Sequence, residues 1–272
     1  MLALATGAVA SESARQGEPA PVVPDVDVRD DAGLSPVDRP GLLVTPFTLP
    51  QGRLQVETGP MLTLLDDDDS GADATLLSFP TIARFGVTDQ FEARLQWGVY
   101  NFLDADTPGG DIEEDGFPDL IVGAKFNFLD QDGAVPHSSI LGEVTLPVGE
   151  EPFGTDDPGF ALSYIGGWAL RETTDLTAQV GVTFVDFGDG YETGGNFGLR
   201  VTEAISDRTS VFAETAFVIP EQENLDDSLF LGIGAMHRIT DRVQLDGWVD
   251  GNLSDNAPNW LFGVGLSVAF GE

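Results

Sequence analysis

Apolar and polar residues alternate with a period of two in segment after segment of this chain. A chain with that pattern buries or shields its apolar side chains by building sheets, not helices. The clearest case is the run 91–97, in which Phe91, Ala93, Leu95 and Trp97, continued by Val99, share one face, while Glu92, Arg94 and Gln96 share the other. The runs 176–184 and 243–247 repeat it, and in 120–128 Leu120, Val122, Ala124, Phe126 and Phe128 oppose Gly123, Lys125 and Asn127. About twelve such segments follow Gly52, beginning near positions 52, 74, 90, 118, 138, 159, 175, 194, 208, 227, 242 and 259. Each runs for about 10 to 13 residues, the reach of a tilted strand across a bilayer and longer than the ~5 to 6 residues usual in soluble sheets. No stretch supplies the ~18 consecutive apolar residues of a membrane helix, so any crossing falls to strands.

The connections alternate in kind. One set is short: 87–90, 173–175, 205–208 and 239–242 each place a hydroxyl or small residue before an Asp, a sequence that closes a tight turn by hydrogen bonds to its own backbone. A longer member lies around 130–133. The other set is long and acidic, covering 66–69, 104–119, 150–157, 186–192, 221–227 and the loop at Asp255, with no Lys or Arg in any of them. Basic residues (Arg84, Arg94, Arg171, Arg208, Arg238, Arg242) fall nearer the short turns. An even number of long strands, with short turns at one end and long loops at the other, predicts an all-β fold: an antiparallel up-and-down transmembrane β-barrel of about twelve strands. Closure removes the sheet edges that such a meander would otherwise expose. A soluble sandwich or propeller would have shorter strands and similar loops at both ends. Aromatic residues toward the strand ends, including Phe79, Phe85, Trp97, Phe102, Phe126, Phe128, Phe184 and Phe187, suit girdles at the two lipid interfaces.

Composition excludes several functions. Acidic residues outnumber basic ones 46 to 12, a formal charge of −34, which leaves no Lys/Arg patch for nucleic acid. With 42% hydrophobic residues the chain is nonetheless built to pack rather than to stay disordered. Cysteine is absent and histidine is limited to His137 and His237, which removes disulfides, thiol catalysis and most metal sites. Residues 1–10 resemble the apolar half of a secretory signal ending in an A-x-A pattern, and 11–50 form an extended Pro/Asp-rich leader, expected to face the periplasm. The barrel is expected over 51–272.

The barrel opens with Asp38-Arg39-Pro40, then Pro50-Gln51-Gly52-Arg53-Leu54-Gln55-Val56-Glu57-Thr58-Gly59. This resembles the opening of the MetA-pathway of phenol degradation family: a "DRP" element, a "P-x-G" turn and a first strand of "LQxExG" type. The turns at 206–208 and 240–242 are similar to that family as well. The resemblance covers roughly 38–270. It implies an outer-membrane barrel with a channel or uptake role, and it carries no catalytic residue. The last segment, 260–270, is similar to the C-terminal signal of outer-membrane proteins, but the chain continues past Phe270 with Gly271-Glu272.

If the apolar faces meet lipid, the alternate faces line a lumen. The candidates are Glu57, Arg84, Glu92, Arg94, Gln96, Lys125, Asn127, Glu143, Gln179, Arg200, Thr202, Glu214, Gln244 and Asp246. Such residues either select solutes or pair across the lumen for stability. The acidic loops supply hard oxygen ligands, yet show no EF-hand or calcium-repeat spacing, and a solvated acidic surface is the favoured reading. His137-Ser138-Ser139 has the His-x-Ser spacing of an outer-membrane phospholipase, but the expected periplasmic position and the lack of flanking Asn or Gly argue against an enzyme. His237 is expected on a wall, and the glycines at 232, 234, 263 and 265 to let a bulky neighbour pack. The expected function is passive uptake of small solutes, hydrophobic or aromatic ones among them, through the outer membrane of a Gram-negative bacterium, with lipid and solute as partners and no cofactor. The alternative is a structural or surface-interaction barrel with a filled lumen and acidic extracellular loops.

Overall fold

The computed structural model describes residues 33–67, 71–186, 190–221, 227–254 and 258–271. The expected signal segment, the leader up to residue 32, Phe187 and parts of four acidic loops (68–70, 187–189, 222–226 and 255–257) lie outside the described residues. The strands are β1 (Leu54–Thr58), β2 (Met61–Asp67), β3 (Ala72–Ser78), β4 (Thr81–Thr88), β5 (Phe91–Trp97), β6 (Asn101–Thr107), β7 (Gly110–Gly116) and β8 (Leu120–Leu129). They continue as β9 (His137–Leu146), β10 (Gly159–Ala169), β11 (Thr174–Asp186), β12 (Tyr191–Ser206), β13 (Thr209–Ile219), β14 (Ser228–Thr240), β15 (Val243–Asn252) and β16 (Trp260–Phe270).

These make a closed antiparallel barrel of 12 strands in which β1 pairs with both β4 and β16. The ring has fewer strands than the list because its first four are each broken in two. The breaks fall at Gly59-Pro60, Phe79-Pro80, Gly98-Val99-Tyr100 and Phe117-Pro118-Asp119. Proline cannot donate to a ladder, and at the third break Val99 holds φ at 56°, rare for a β-branched residue. Above the breaks β2, β3, β6 and β7 continue outward from β16 as a separate four-stranded lobe. Among the described residues the outer edge of β7 pairs with no strand.

The lobe corrects one expectation. Residues 104–119, taken for a loop because they are acidic, form most of the β6–β7 hairpin and the break after it. The alternation was there: Leu103 and Ala105 separate Asp104 and Asp106, Ala105 is buried, and Thr107-Pro108-Gly109-Gly110 makes the turn.

The short turns behave as the sequence predicts, with a hydroxyl two residues upstream accepting a turn amide. Thr88 Oγ1 accepts from Gln90 N at 3.3 Å, Ser206 Oγ from Arg208 N at 3.4 Å and Thr240 Oγ1 from Arg242 N at 3.2 Å. Outward-facing residues of the ring, such as Phe91, Leu95, Phe126, Phe160, Val180, Phe197, Leu231 and Val264, are exposed. Trp97, Tyr164, Phe184, Trp260 and Phe270 add exposed aromatics. Of the other aromatics assigned to girdles, Phe85, Phe102 and Phe128 are exposed and Phe79 is half-buried. So much contiguous apolar surface would drive aggregation in water and is what an outer-membrane barrel presents to lipid. The inner face is the reverse: Glu57, Arg84, Glu92, Lys125 and Asp250 are each fully buried within it.

Candidate functional site: a plugged lumen

Residues 33–50 form no strand and lie inside the barrel rather than alongside it, so their backbone donors and acceptors have no ladder to satisfy them. The wall side chains do this instead. Carboxylates and amide oxygens take the segment's N–H groups: Gln55 from Ser35 at 3.2 Å, Glu57 from both Asp38 and Arg39 at 2.9 and 2.8 Å, and Glu214 from Leu42 at 2.9 Å. Gln179 takes that of Val44 at 3.1 Å, and Glu92 that of Leu49 at 2.9 Å. Cations and hydroxyls take its carbonyls. Arg84 donates to Pro36 and Phe47 at 2.8 and 3.0 Å, Lys125 to Thr45 and Phe47 at 2.9 and 3.2 Å, and Ser139 to Pro46. Leu34 N adds one backbone bond, to the carbonyl of Asp241 at 2.6 Å in the β14–β15 turn, so the segment is a plug held mainly by side chains rather than an added strand.

Asp38 is its hub. Its carboxylate contacts Arg94, accepts from Lys125 at 3.0 and 3.1 Å, and lies 3.5 Å from Arg84. It also takes the amide and hydroxyl of Thr45, both at 2.9 Å, which folds the plug back on itself. Arg84 meanwhile bonds Glu57 at 2.8 Å and Glu92 at 2.9 Å. In this cluster Arg84, Arg94 and Lys125 are balanced by Asp38, Glu57 and Glu92, all almost wholly out of solvent. Desolvating each ion costs several kcal/mol, an outlay offset only while each keeps its partners. Removing Asp38 leaves three cations facing two carboxylates.

Arg39 points the other way, as neighbouring residues of an extended chain do. Its guanidinium lies 4.9 Å from the ring centroid of Trp248, 3.7 Å from Asp246, and donates to the carbonyl of Val264 at 3.1 Å. Room for it comes from Gly265, where a β-carbon would sit 2.6 Å from Arg39 Nε. The Asp38-Arg39-Pro40 element thus places an anion against β4, β5 and β8 and a cation against β15 and β16. The plug then turns at Gly41, whose φ of 88° suits glycine and whose β-carbon would lie 2.7 Å from Arg200 Nη2. Arg200 itself forks onto Glu214 at 2.9 and 2.7 Å.

Leu42 and Leu43 of the plug line a cavity of about 170 Å³ together with Ala216, Val218, Gly198, Gln179, Thr183, Asn196 and Glu221. Farther out, the lobe carries an acidic cleft of about 260 Å³ lined in part by Asp66, Asp73, Asp104 and Asp106. Asp66, Asp73, Asp106 and Asp111 are cross-strand neighbours in one row. Among the described residues no group of His, Asp or Glu is arranged to hold a metal ion.

Of the residues expected to line a lumen, many meet the plug or one another. Glu57, Arg84, Glu92, Arg94 and Lys125 form one network, with Glu143 at its rim 3.9 Å from Arg94. Gln179, Arg200 and Glu214 hold the next stretch of plug. Asn127 donates to the carbonyls of Leu129 and Ser138, both at 3.2 Å, and stays out of the network. Gln244 and Asp246 lie buried on β15, and Gln96 and Thr202 are half-buried on the wall. Of the His-x-Ser element, Ser139 donates to the plug carbonyl of Pro46, and Ser138 bonds Pro136 and Tyr164. His237 bonds Thr209 on an exposed stretch of wall. The four glycines lie under larger side chains, Gly234 beneath Phe212 and Gly263 beneath Trp248, with Gly232 and Gly265 meeting Asp250 and Arg39. Sequence reasoning missed Gln55, Trp248 and Asp250, although all three continue the alternation that exposed their neighbours, and it gave Asp38 and Arg39 no role.

The family model for the MetA-pathway of phenol degradation matches residues 37–270. Among curated proteins no sequence matches. Of solved structures, the chain is similar to the COG4313 outer membrane channel from Pseudomonas putida F1, with a TM-score of 0.64 at 16% identity over 85% of this chain and 99% of that one. It is also similar to the translocator domain of the autotransporter NalP from Neisseria meningitidis (TM-score 0.56, 13% identity, 80% of this chain and 88% of that one). The beta domain of the Bordetella autotransporter BrkA follows (TM-score 0.55, 15% identity, 80% and 99%).

Proposed function

The chain belongs to the MetA-pathway of phenol degradation family, and we propose that it is an outer-membrane channel that admits small solutes, hydrophobic or aromatic ones among them, when its plug moves aside. The observation that carries this reading is the manner in which the lumen is filled. A barrel meant only to be solid would close with wall side chains meeting across its axis. Here the wall charges meet an irregular, separately folded segment that no ladder hydrogen bond ties to the sheet, and irregular backbone at membrane depth is at home where it lines or fills a lumen. The cavity beside Leu42 and Leu43 supports the solute class: its lining is largely apolar, with Gln179, Thr183, Asn196 and Glu221 the polar members, and its size suits one small ring or short chain. A solute resting there touches the plug directly.

Planar-bilayer recording tests the reading. Discrete conductance steps, more frequent in Asp38→Asn than in the wild-type chain, are the expected result. A correctly inserted barrel that stays silent in both forms favours the structural alternative. Liposome uptake of a monocyclic aromatic against an aliphatic solute of equal size then reads the solute preference.

A further inference from the structure

We propose that Asp246, Trp248 and Asp250 form a binding site for small organic cations of the ammonium class, which Arg39 occupies while the plug is seated. The inference rests on the channel reading and names a solute chemistry for it.

Arg39 displays what the site accepts: a delocalised cation against an indole, with a carboxylate at 3.7 Å and a backbone carbonyl at 3.1 Å. An aromatic face beside an anionic edge recognises an alkylated ammonium as well as a guanidinium. Trp248 is held in place for this role because Gly263 on the neighbouring strand leaves its ring space to lie along the wall.

A second, independent observation is the state of the carboxylates. Asp250 is fully buried, and no hydrogen bond of normal geometry reaches either of its oxygens or those of Asp246. Buried polar groups are almost always satisfied; here Asp250 adjoins Glu214 and the Trp248 indole, and the cation beside Asp246 comes from the plug rather than from the wall. The buried side chains of β12 to β15 include one described cation, Arg200, against Glu214, Asp246 and Asp250, and Arg200 is already committed to Glu214. Arg39 pairs with Asp246, with Glu57 also within electrostatic range. When the plug leaves, Asp246 loses its cation beside an exposed indole.

The approach favours the same class. The row Asp66, Asp73, Asp106 and Asp111, on a chain of formal charge −34, raises the local concentration of cations at the mouth.

The test uses the full chain carrying Arg39→Gln, folded in detergent micelles, with tetramethylammonium chloride as the probe and sodium chloride of equal ionic strength as the control. Tetramethylammonium is expected to raise the unfolding temperature saturably, with half the effect at millimolar concentration, whereas sodium does not. Adding Trp248→Leu is expected to abolish the effect, and adding Asp246→Asn to weaken it about fivefold to tenfold. Should Arg39→Gln fail to fold, Arg39→Lys keeps a cation on the plug and lets tetramethylammonium compete with it, with the same dependence on Trp248 expected. Equal responses to the two salts, or a response that survives Trp248→Leu, overturn the proposal. Because binding is read in micelles, that failure stays distinct from failure of the channel reading, which shows as absent conductance.

Discussion

Around Asp38 every charge has a partner: three cations meet three carboxylates at the contact of β1, β4, β5 and β8 with the plug, and the plug's carbonyls take the donors left over. Across the lumen, β15 presents Asp246 and Asp250 with no hydrogen-bond partner of normal geometry and a tryptophan laid over glycine. Both sides are buried and both are charged, so burial alone does not distinguish them. What differs is whether the plug completes the local charge balance. On the first side it does, and the plug is latched there. On the second it supplies a single arginine, which alone stands against Asp246.

That contrast can be broken by substitution, and the largest effect belongs at the latch. Asp38→Asn removes the anion that balances Arg84, Arg94 and Lys125, and uncompensated buried charge costs about 3–5 kcal/mol. The plug is expected to unseat while the barrel survives, read as increased protease access to residues 33–50 together with unchanged heat-modifiable mobility on gels. Leu43→Ala comes next. Leu43 is almost wholly buried against Ala216 and Phe230, and losing that packing costs about 2–3 kcal/mol, seen as a milder increase in access and an enlarged cavity. Ser139→Ala loses one bond to the plug, worth about 1 kcal/mol, and is expected to leave any lipid hydrolysis at background because Ser139 is engaged by Pro46. The smallest effect is in the lobe: Asp73→Asn relieves the repulsion of Asp73 with its cross-strand neighbours Asp66 and Asp106. A slight rise in unfolding temperature, larger at low salt than at high, is the expected sign.

The barrel was legible because its lipid face and its lumen face alternate along each strand, so period two survives even where both faces are buried by their surroundings. The starts expected near 90, 159, 208 and 242 lie within a residue of β5, β10, β13 and β15. The β6–β7 hairpin was hidden by composition: Asp and Glu are poor strand formers, and 104–119 was taken for loop although Ala105 and Ile112 alternate with its acids. Pro60, Pro80 and Pro118 were visible signs of the strand breaks, but nothing in one strand shows that its neighbours break at the same height. The site was half legible. Alternation placed Glu57, Arg84, Glu92 and Lys125 inside, and the presence of both charge signs signalled pairing. Their chief partner could not be read, because the plug has no periodicity and its place depends on side-chain-to-backbone bonds between residues far apart in sequence, such as Leu42 with Glu214 and Val44 with Gln179.

Opening requires residues 33–50 to leave the wall charges that hold them. The chain has no cysteine, so a single engineered pair is a clean lock. Leu43 and Gly198 suit it, since a β-carbon on Gly198 would lie 3.0 Å from Leu43 Cγ. Conductance of the Asp38→Asn chain carrying Leu43→Cys and Gly198→Cys should be near zero when oxidised and should return on reduction. Equal conductance in the two redox states, with the disulfide confirmed by mass, would contradict the account.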